Sequence, residues 1–150
     1  MGKKRVVKET QEQILKETER IAKKLKREIK IKGQKEFQTA RLYITSTYNN
    51  TIITLTDEKG NTLAWRSAGS VGFKGTKKGT AYAASQVAQV IAKILERLKI
   101  AQIDIFVKGI GGGRDTALKT LANYNIDIRS IKDITPLAHN GPRPPKPKRL

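Results

Sequence analysis

The sequence predicts an α/β domain: a mixed five-stranded sheet in which a three-strand antiparallel meander precedes two parallel α/β units, with helices against its faces. Three observations carry this. From Arg41 to Arg66 apolar residues alternate with period two. From Ala81 to Leu98 they recur at helical spacing. From Ile103 to Ile131 the pattern runs strand, glycine turn, helix, strand. Alternation marks half-buried strands, and the i, i+3/4, i+7 spacing marks an amphipathic helix.

The meander rests on Leu42 and Ile44 in one run, Ile53 and Leu55 in a second with Ile52 on its other face, and Leu63 and Trp65 in a third. Asn49-Asn50 and Asp57-Glu-Lys-Gly-Asn61 separate these runs with residues that favour turns. Asp57 and Glu58 are adjacent in a hairpin turn, so turn chemistry explains them better than a catalytic carboxylate pair. Ser67 to Thr80 then connects strand to helix with four glycines, three lysines and Phe73, which is expected to plug the domain.

Thr80 is a candidate N-cap. Ala83, Ala84, Ala88 and Ala92 share a face with Val87, Ile91, Ile94, Leu95 and Leu98, and an alanine-rich face lets a helix lie close on a sheet. Ile103–Val107 reads as a buried strand, Lys108-Gly-Ile-Gly-Gly-Gly-Arg114 as a turn, Arg114 to about Asn123 as a helix, and Ile126–Ile131 as a last strand running toward Ile134. Strands joined by crossover helices should be parallel.

The 150 residues divide into a basic extension over 1–36, the mixed-sheet domain over 37–138 and a proline-rich basic tail over 139–150. Ile14, Leu15, Ile21, Ala22, Leu25 and Ile29 fall on one face between Gln13 and Ile29, which predicts an amphipathic helix in the extension. The tail's prolines deny helix and favour a stiff extended arm. No apolar run approaches the roughly 20 residues of a spanning helix, and the start of the chain has no signal-peptide core. A cytoplasmic location is therefore expected.

The net charge is +18. Residues 1–36 hold 13 Lys/Arg against 6 Glu, while 65–79 and 139–150 hold four cations each and no acid. Those three segments account for +15, so the body is nearly neutral and its extremities are cationic. This is the layout of a scaffold that sends arms and loops into a polyanion, with nucleic acid the expected partner. There is no cysteine and a single histidine, which excludes disulfides, thiolate chemistry and the usual multi-histidine metal cage. No metal or cofactor is expected.

The candidate RNA-binding residues follow from that charge map. A glycine turn at a helix start presents bare N–H groups at the positive end of the helix dipole, so Lys108, Gly111, Gly113 and Arg114 form a candidate phosphate cradle. Arg66, Lys74, Lys77 and Lys78 join it from the first glycine-rich connection, Asn49 and Asn50 from the hairpin, and His139, Asn140, Arg143, Lys146, Lys148 and Arg149 from the tail. No spacing ties His139 to a nucleophile or a carboxylate, so no catalytic residue is assigned.

Tyr48-Asn-Asn-Thr-Ile, Ser67-Ala-Gly with Gly72-Phe-Lys-Gly, Val107-Lys-Gly with Gly113-Arg114, and Asp133-Ile-Thr-Pro with His139-Asn-Gly and Arg143-Pro-Pro-Lys146 resemble the universal family of small-subunit ribosomal protein eleven, in its bacterial and organellar form, over residues 37–150. The resemblance implies a three-layer ribonuclease-H-like sheet and a place on the platform of the small subunit. It implies bridging of small-subunit ribosomal RNA helices, ribosomal proteins seven and eighteen as neighbours, and a share in the cleft holding the Shine–Dalgarno duplex of messenger RNA. Ile110 stands where the family pattern has proline, Pro142 where it has cysteine, and the N-terminal extension is longer than the pattern's.

Two rival functions are disfavoured. A metal-dependent ribonuclease-H-like nuclease needs an acid on the first strand, and Arg41 to Thr47 has none. A dinucleotide-binding enzyme would use Gly-x-Gly-x-x-Gly, but Gly109 and Gly111 are followed by Arg114 at the sixth position.

Overall fold

The computed structural model describes residues 38–124 and 126–142. The expected N-terminal helix and the tail residues Arg143, Lys146, Lys148 and Arg149 lie outside them. The elements run β1 (Thr39–Ser46), β2 (Thr51–Thr56), β3 (Thr62–Ser67), α1 (Ala68–Val71), a 3-10 helix (Gly75–Gly79), α2 (Ala81–Arg97), β4 (Gln102–Lys108), α3 (Arg114–Ala122) and β5 (Asp127–Asp133).

The five strands form one sheet in the order β3-β2-β1-β4-β5. β1, β2 and β3 are antiparallel neighbours, while β1 with β4 and β4 with β5 are parallel, as the crossover helices require. Register sets which face each residue takes. Leu42 sits between Leu55 and Ile105, and Ile44 between Ile53 and Val107, so one face is aliphatic across the three central strands. All six of these side chains are buried.

Both long helices pack on that face. Thr80 caps α2 by accepting from the Ala83 amide at 3.2 Å. The helix then buries Ala83, Ala84, Val87, Ala88, Ile91, Ile94 and Leu95 against the sheet, and α3 adds Ala117 and Leu121 beside it. Phe73 is buried and meets Tyr82 edge to face, so it plugs the domain as the sequence suggests. The short helix α1 has no counterpart among the elements the sequence predicts. A reciprocal cap between Ser67 and Ser70 starts it, and Gly72, at φ +122°, ends it within one turn.

The sheet's second face is not covered by any described element. A third layer, expected from the family resemblance, would have to come from outside the described residues. The alternation in β3 accounts for part of this: Ala64 pairs with Leu55 and Arg66 with Ile53, so Trp65 points to the open side and is 55% exposed. Asp57 is a turn residue, as its setting predicts. Its carboxylate accepts from the Asn61 amide and from Asn61 Nδ2, both at 2.8 Å, and these bonds hold it below the usual carboxylate range.

Candidate nucleic-acid interface

Topology decides where the loops go. Because β1, β3, β4 and β5 all run the same way, their C-terminal ends share one edge of the sheet, together with the β1–β2 hairpin tip. Asn49 and Asn50 therefore lie on the same edge as Arg66 at the end of β3, Lys74, Lys77 and Lys78 in the connection beyond it, Lys108 at the end of β4, and Arg114 at the start of α3. Segments far apart in sequence are gathered into one cationic rim.

Close backbone approaches hold the rim together. A Cβ built on Gly79 would lie 2.2 Å from the Tyr48 carbonyl oxygen, one on Gly111 2.3 Å from that of Thr47, and one on Gly113 2.4 Å from Thr51 Oγ1 and 2.7 Å from the Ala84 methyl. Gly109 combines φ +97° with a Cβ position 2.2 Å from the Ser46 carbonyl oxygen. No other residue fits these places without movement of the main chain. Gly112 alone of the turn's consecutive glycines faces open space.

These contacts revise how the turn works. The Gly111 amide donates to the Ser46 carbonyl at 3.1 Å and the Gly109 amide to Thr135 Oγ1 at 3.0 Å, so neither is bare. Gly111 and Gly113 are buried, and their lack of side chains is explained by packing against β1, β2 and α2. The same packing closes the space in which a dinucleotide pyrophosphate would lie against Gly109 and Gly111. Exposed backbone begins at Gly112. Asp115, in the first turn of α3, is also exposed and adds an acid to this largely cationic edge.

Arg114 is a brace as well as a cation. Its Nη1 donates to the Gly109 carbonyl at 3.2 Å, and its Nη2 reaches Asp133 Oδ2 at 2.8 Å. Asp133 Oδ1 accepts from the Thr135 amide at 2.9 Å and from Thr135 Oγ1 at 2.6 Å. Thr135 Oγ1 in turn accepts from Gly109, closing a ring of four residues across the mouth of the turn. Hydrogen bonds from Thr135, with the Arg114 guanidinium beside them, hold the Asp133 carboxyl down at about 2. Neither Asp133 nor Thr135 is among the site residues that the sequence predicts. Their Asp-x-Thr spacing, which is that of a side-chain turn, is the signal that could have pointed to them.

The remaining candidates are placed as follows. Lys74 and Lys77 are exposed, and Lys78, Arg66 and Asn50 are half-buried. Asn50 Oδ1 is shielded from solvent and has no hydrogen-bond donor among the described residues. Its backbone closes the hairpin through Thr47, whose Oγ1 accepts from the Asn50 amide at 3.1 Å. His139 and Asn140 are exposed beyond β5, with Asn140 at φ +51°.

Among the described residues no three acidic, histidine or cysteine side chains converge as a metal site. The acid on the central parallel pair, Asp104, is instead tied down. It is bound by Arg129 through both carboxylate oxygens and by Ser130 Oγ at 2.7 Å, and these partners hold it at about 2 despite its burial.

Comparison with known proteins agrees with this geometry. A family model described as "Ribosomal protein S11" matches residues 40–149. Proteins named small ribosomal subunit protein uS11 are similar over most of the chain. The one from Endomicrobium trichonymphae is 54% identical over 111 residues, 74% of this chain and 85% of its own length. That of Thermotoga maritima is 50% identical over 114 residues, 76% and 88%. That of Solibacter usitatus is 42% identical over 125 residues, 83% and 93%.

Proposed function

The chain belongs to the ribosomal protein S11 family, structural and non-enzymatic components of the small ribosomal subunit, and from that premise we propose that its cationic rim pins ribosomal RNA. The observation that carries the proposal is the convergence of Arg66, Lys74, Lys77, Lys78, Lys108 and Arg114 on one edge of a domain that is otherwise nearly neutral. Phosphates from separate RNA helices would be gathered there, in the manner of a clamp that makes and breaks no bond.

Each residue then has a distinct task. Lys74, Lys77 and Lys78 neutralise phosphates on a loop whose shape is fixed by Gly79 against Tyr48. Arg114 holds the glycine turn open through Asp133, and Gly112 offers the closest backbone approach. The shielded Asn50 Oδ1 would accept from a ribose 2′-hydroxyl, a group that distinguishes RNA from DNA. His139, Asn140, Arg143, Lys146, Lys148 and Arg149 extend the grip along the tail. Placement on the subunit platform, beside ribosomal proteins seven and eighteen and near the Shine–Dalgarno duplex, belongs to the same proposal, as does a bacterial cytoplasmic ribosome.

Charge reversal tests it. Replacing Lys74, Lys77 and Lys78 by Glu lowers affinity for a platform fragment of small-subunit ribosomal RNA and reduces the log–log salt slope by about 0.7–0.9 for each phosphate that is no longer neutralised. Unchanged affinity and slope at moderate salt overturn the assignment. Crosslinking within assembled subunits checks the named protein neighbours.

A further inference from the structure

The open face of the sheet is built differently from the rim. Register places Trp65, Thr54, Tyr43, Phe106 and Lys132 in one row across all five strands. The Tyr43 and Phe106 rings lie parallel, with centroids 5.0 Å apart and planes 16° from each other. Trp65 stands 55% exposed at one end of the row and Lys132 is exposed at the other. Arg41 lies one row above, paired with Asp104, and Lys108 one row below, paired with Thr45.

The acids of this face are engaged by groups of the protein: at its margin Glu58 accepts from the Thr39 hydroxyl and Asp127 from the Gln102 side-chain amide. Asp104 is the acid at its centre, and it is already bound to Arg129 and Ser130. Lys132 also acts on Asp104, and Arg41 and Lys108 are left to act on an outside anion. Tyr43 and Phe106 cover one face of each other and keep their outer faces, and aromatic rings on a sheet flanked by cations are a setting in which unpaired bases stack while the backbone phosphates are neutralised beside them. Lys108 belongs both to this face and to the rim, so one RNA strand leaving the rim passes directly onto the row.

We propose that the open sheet face, along the row Trp65–Tyr43–Phe106–Lys132, is a second RNA surface that takes single-stranded ribosomal RNA by stacking its bases. This extends the rim proposal to a second class of RNA contact: duplex phosphates at the strand ends, unpaired bases on the sheet. A purely apolar partner fits less well, because the row is interrupted by Thr54 and bounded by Arg41, Lys108 and Lys132.

The chain contains a single tryptophan, so its own fluorescence reports on the row. The full-length protein is titrated with a labelled ten-nucleotide single-stranded RNA and, separately, with a blunt RNA duplex, binding being followed by anisotropy of the label. Stacking predicts that the single strand quenches Trp65 strongly and that the duplex does not. Phe106→Leu, which keeps an apolar residue in the row, is expected to weaken single-strand binding about five- to a hundredfold and to leave duplex binding unchanged.

Single-strand binding without quenching, or with equal affinity in Phe106→Leu, overturns the second surface and leaves the rim standing. Loss of binding to both probes after charge reversal of Lys74, Lys77 and Lys78, with quenching abolished as well, also overturns it, because the strand would then be held at the rim. A red shift of Trp65 emission on removing residues 1–37 from the RNA-free protein overturns it in a third way, by showing that the chain's own extension covers the face. If neither probe binds the intact protein, the rim proposal fails too.

Discussion

At the residue scale, three consecutive glycines of one turn have different reasons to be glycine. Gly111 and Gly113 are pressed against β1, β2 and α2, whereas Gly112 faces open space. At Gly109 any side chain would meet both a strained positive φ and the Ser46 carbonyl oxygen. Gly109→Ala should therefore destabilise the domain by about 1–3 kcal/mol, measured by denaturant unfolding. Gly112→Ala should change stability by less than about 0.5 kcal/mol. Equal destabilisation in the two variants would mean that the turn's close packing is not what fixes these residues.

The acids make a second prediction at this scale. Asp104 and Asp133 are both held at about 2, below the ordinary value of 3.8. A depressed carboxyl stabilises the fold above its unfolded pKa, and that contribution is lost as pH falls toward the folded value. Stability should thus be level above about pH 5 and decline between about pH 4 and pH 2. Asp104→Asn should lower neutral-pH stability by about 1–2 kcal/mol and flatten part of that decline, read from unfolding curves at each pH.

At the scale of elements, α2 is the beam on which the site is mounted. Its alanine face brings the helix close to β2 and β3, and Ala84 sits where the first residues of α3 need room. Thr80 supplies the side-chain cap of α2 and lies directly after the lysine-bearing 3-10 helix. Thr80→Ala should cost about 1 kcal/mol. It should also weaken RNA binding more than an equally destabilising core substitution distant from the loop, because Thr80 Oγ1 donates to the Lys77 carbonyl at 2.8 Å. Matched affinity in the two variants would separate the cap from the loop.

At the scale of the whole molecule, the parallel direction of four strands turns a set of scattered cations into one rim. The tail leaves from that rim: β5 ends at Asp133, the Ile134 amide still bonds the Val107 carbonyl at 2.8 Å, and residues from Pro136 to Ala138 are exposed. Deleting residues 140–150 should therefore leave cooperative melting intact, by calorimetry, while weakening incorporation into reconstituted small subunits. Loss of the cooperative transition would show that the tail contributes to the core.

How much of the fold is legible in the sequence differs by element for physical reasons. The strands around Leu42, Ile53 and Ile105 and the helix after Thr80 are readable because burial imposes a period on the residues that face inward. The short helix α1 is not, since a single turn has no period to read and depends on the Ser67–Ser70 cap. Asp57 can be read from its turn, but the Asp133–Arg114 ion pair cannot, because its partners are 19 residues apart and meet through strand pairing.

The amino-acid order by itself determined the alternation of apolar residues, the cationic loops around a nearly neutral body, and the lack of any cysteine or second histidine. Those depend on composition and on spacing within one segment. Only the tertiary structure decided that Gly111 and Gly113 serve packing, that Arg114 is a brace, and that Trp65, Tyr43 and Phe106 share an open row. Each of these depends on which segments lie side by side, and strand register fixes that through long-range pairing.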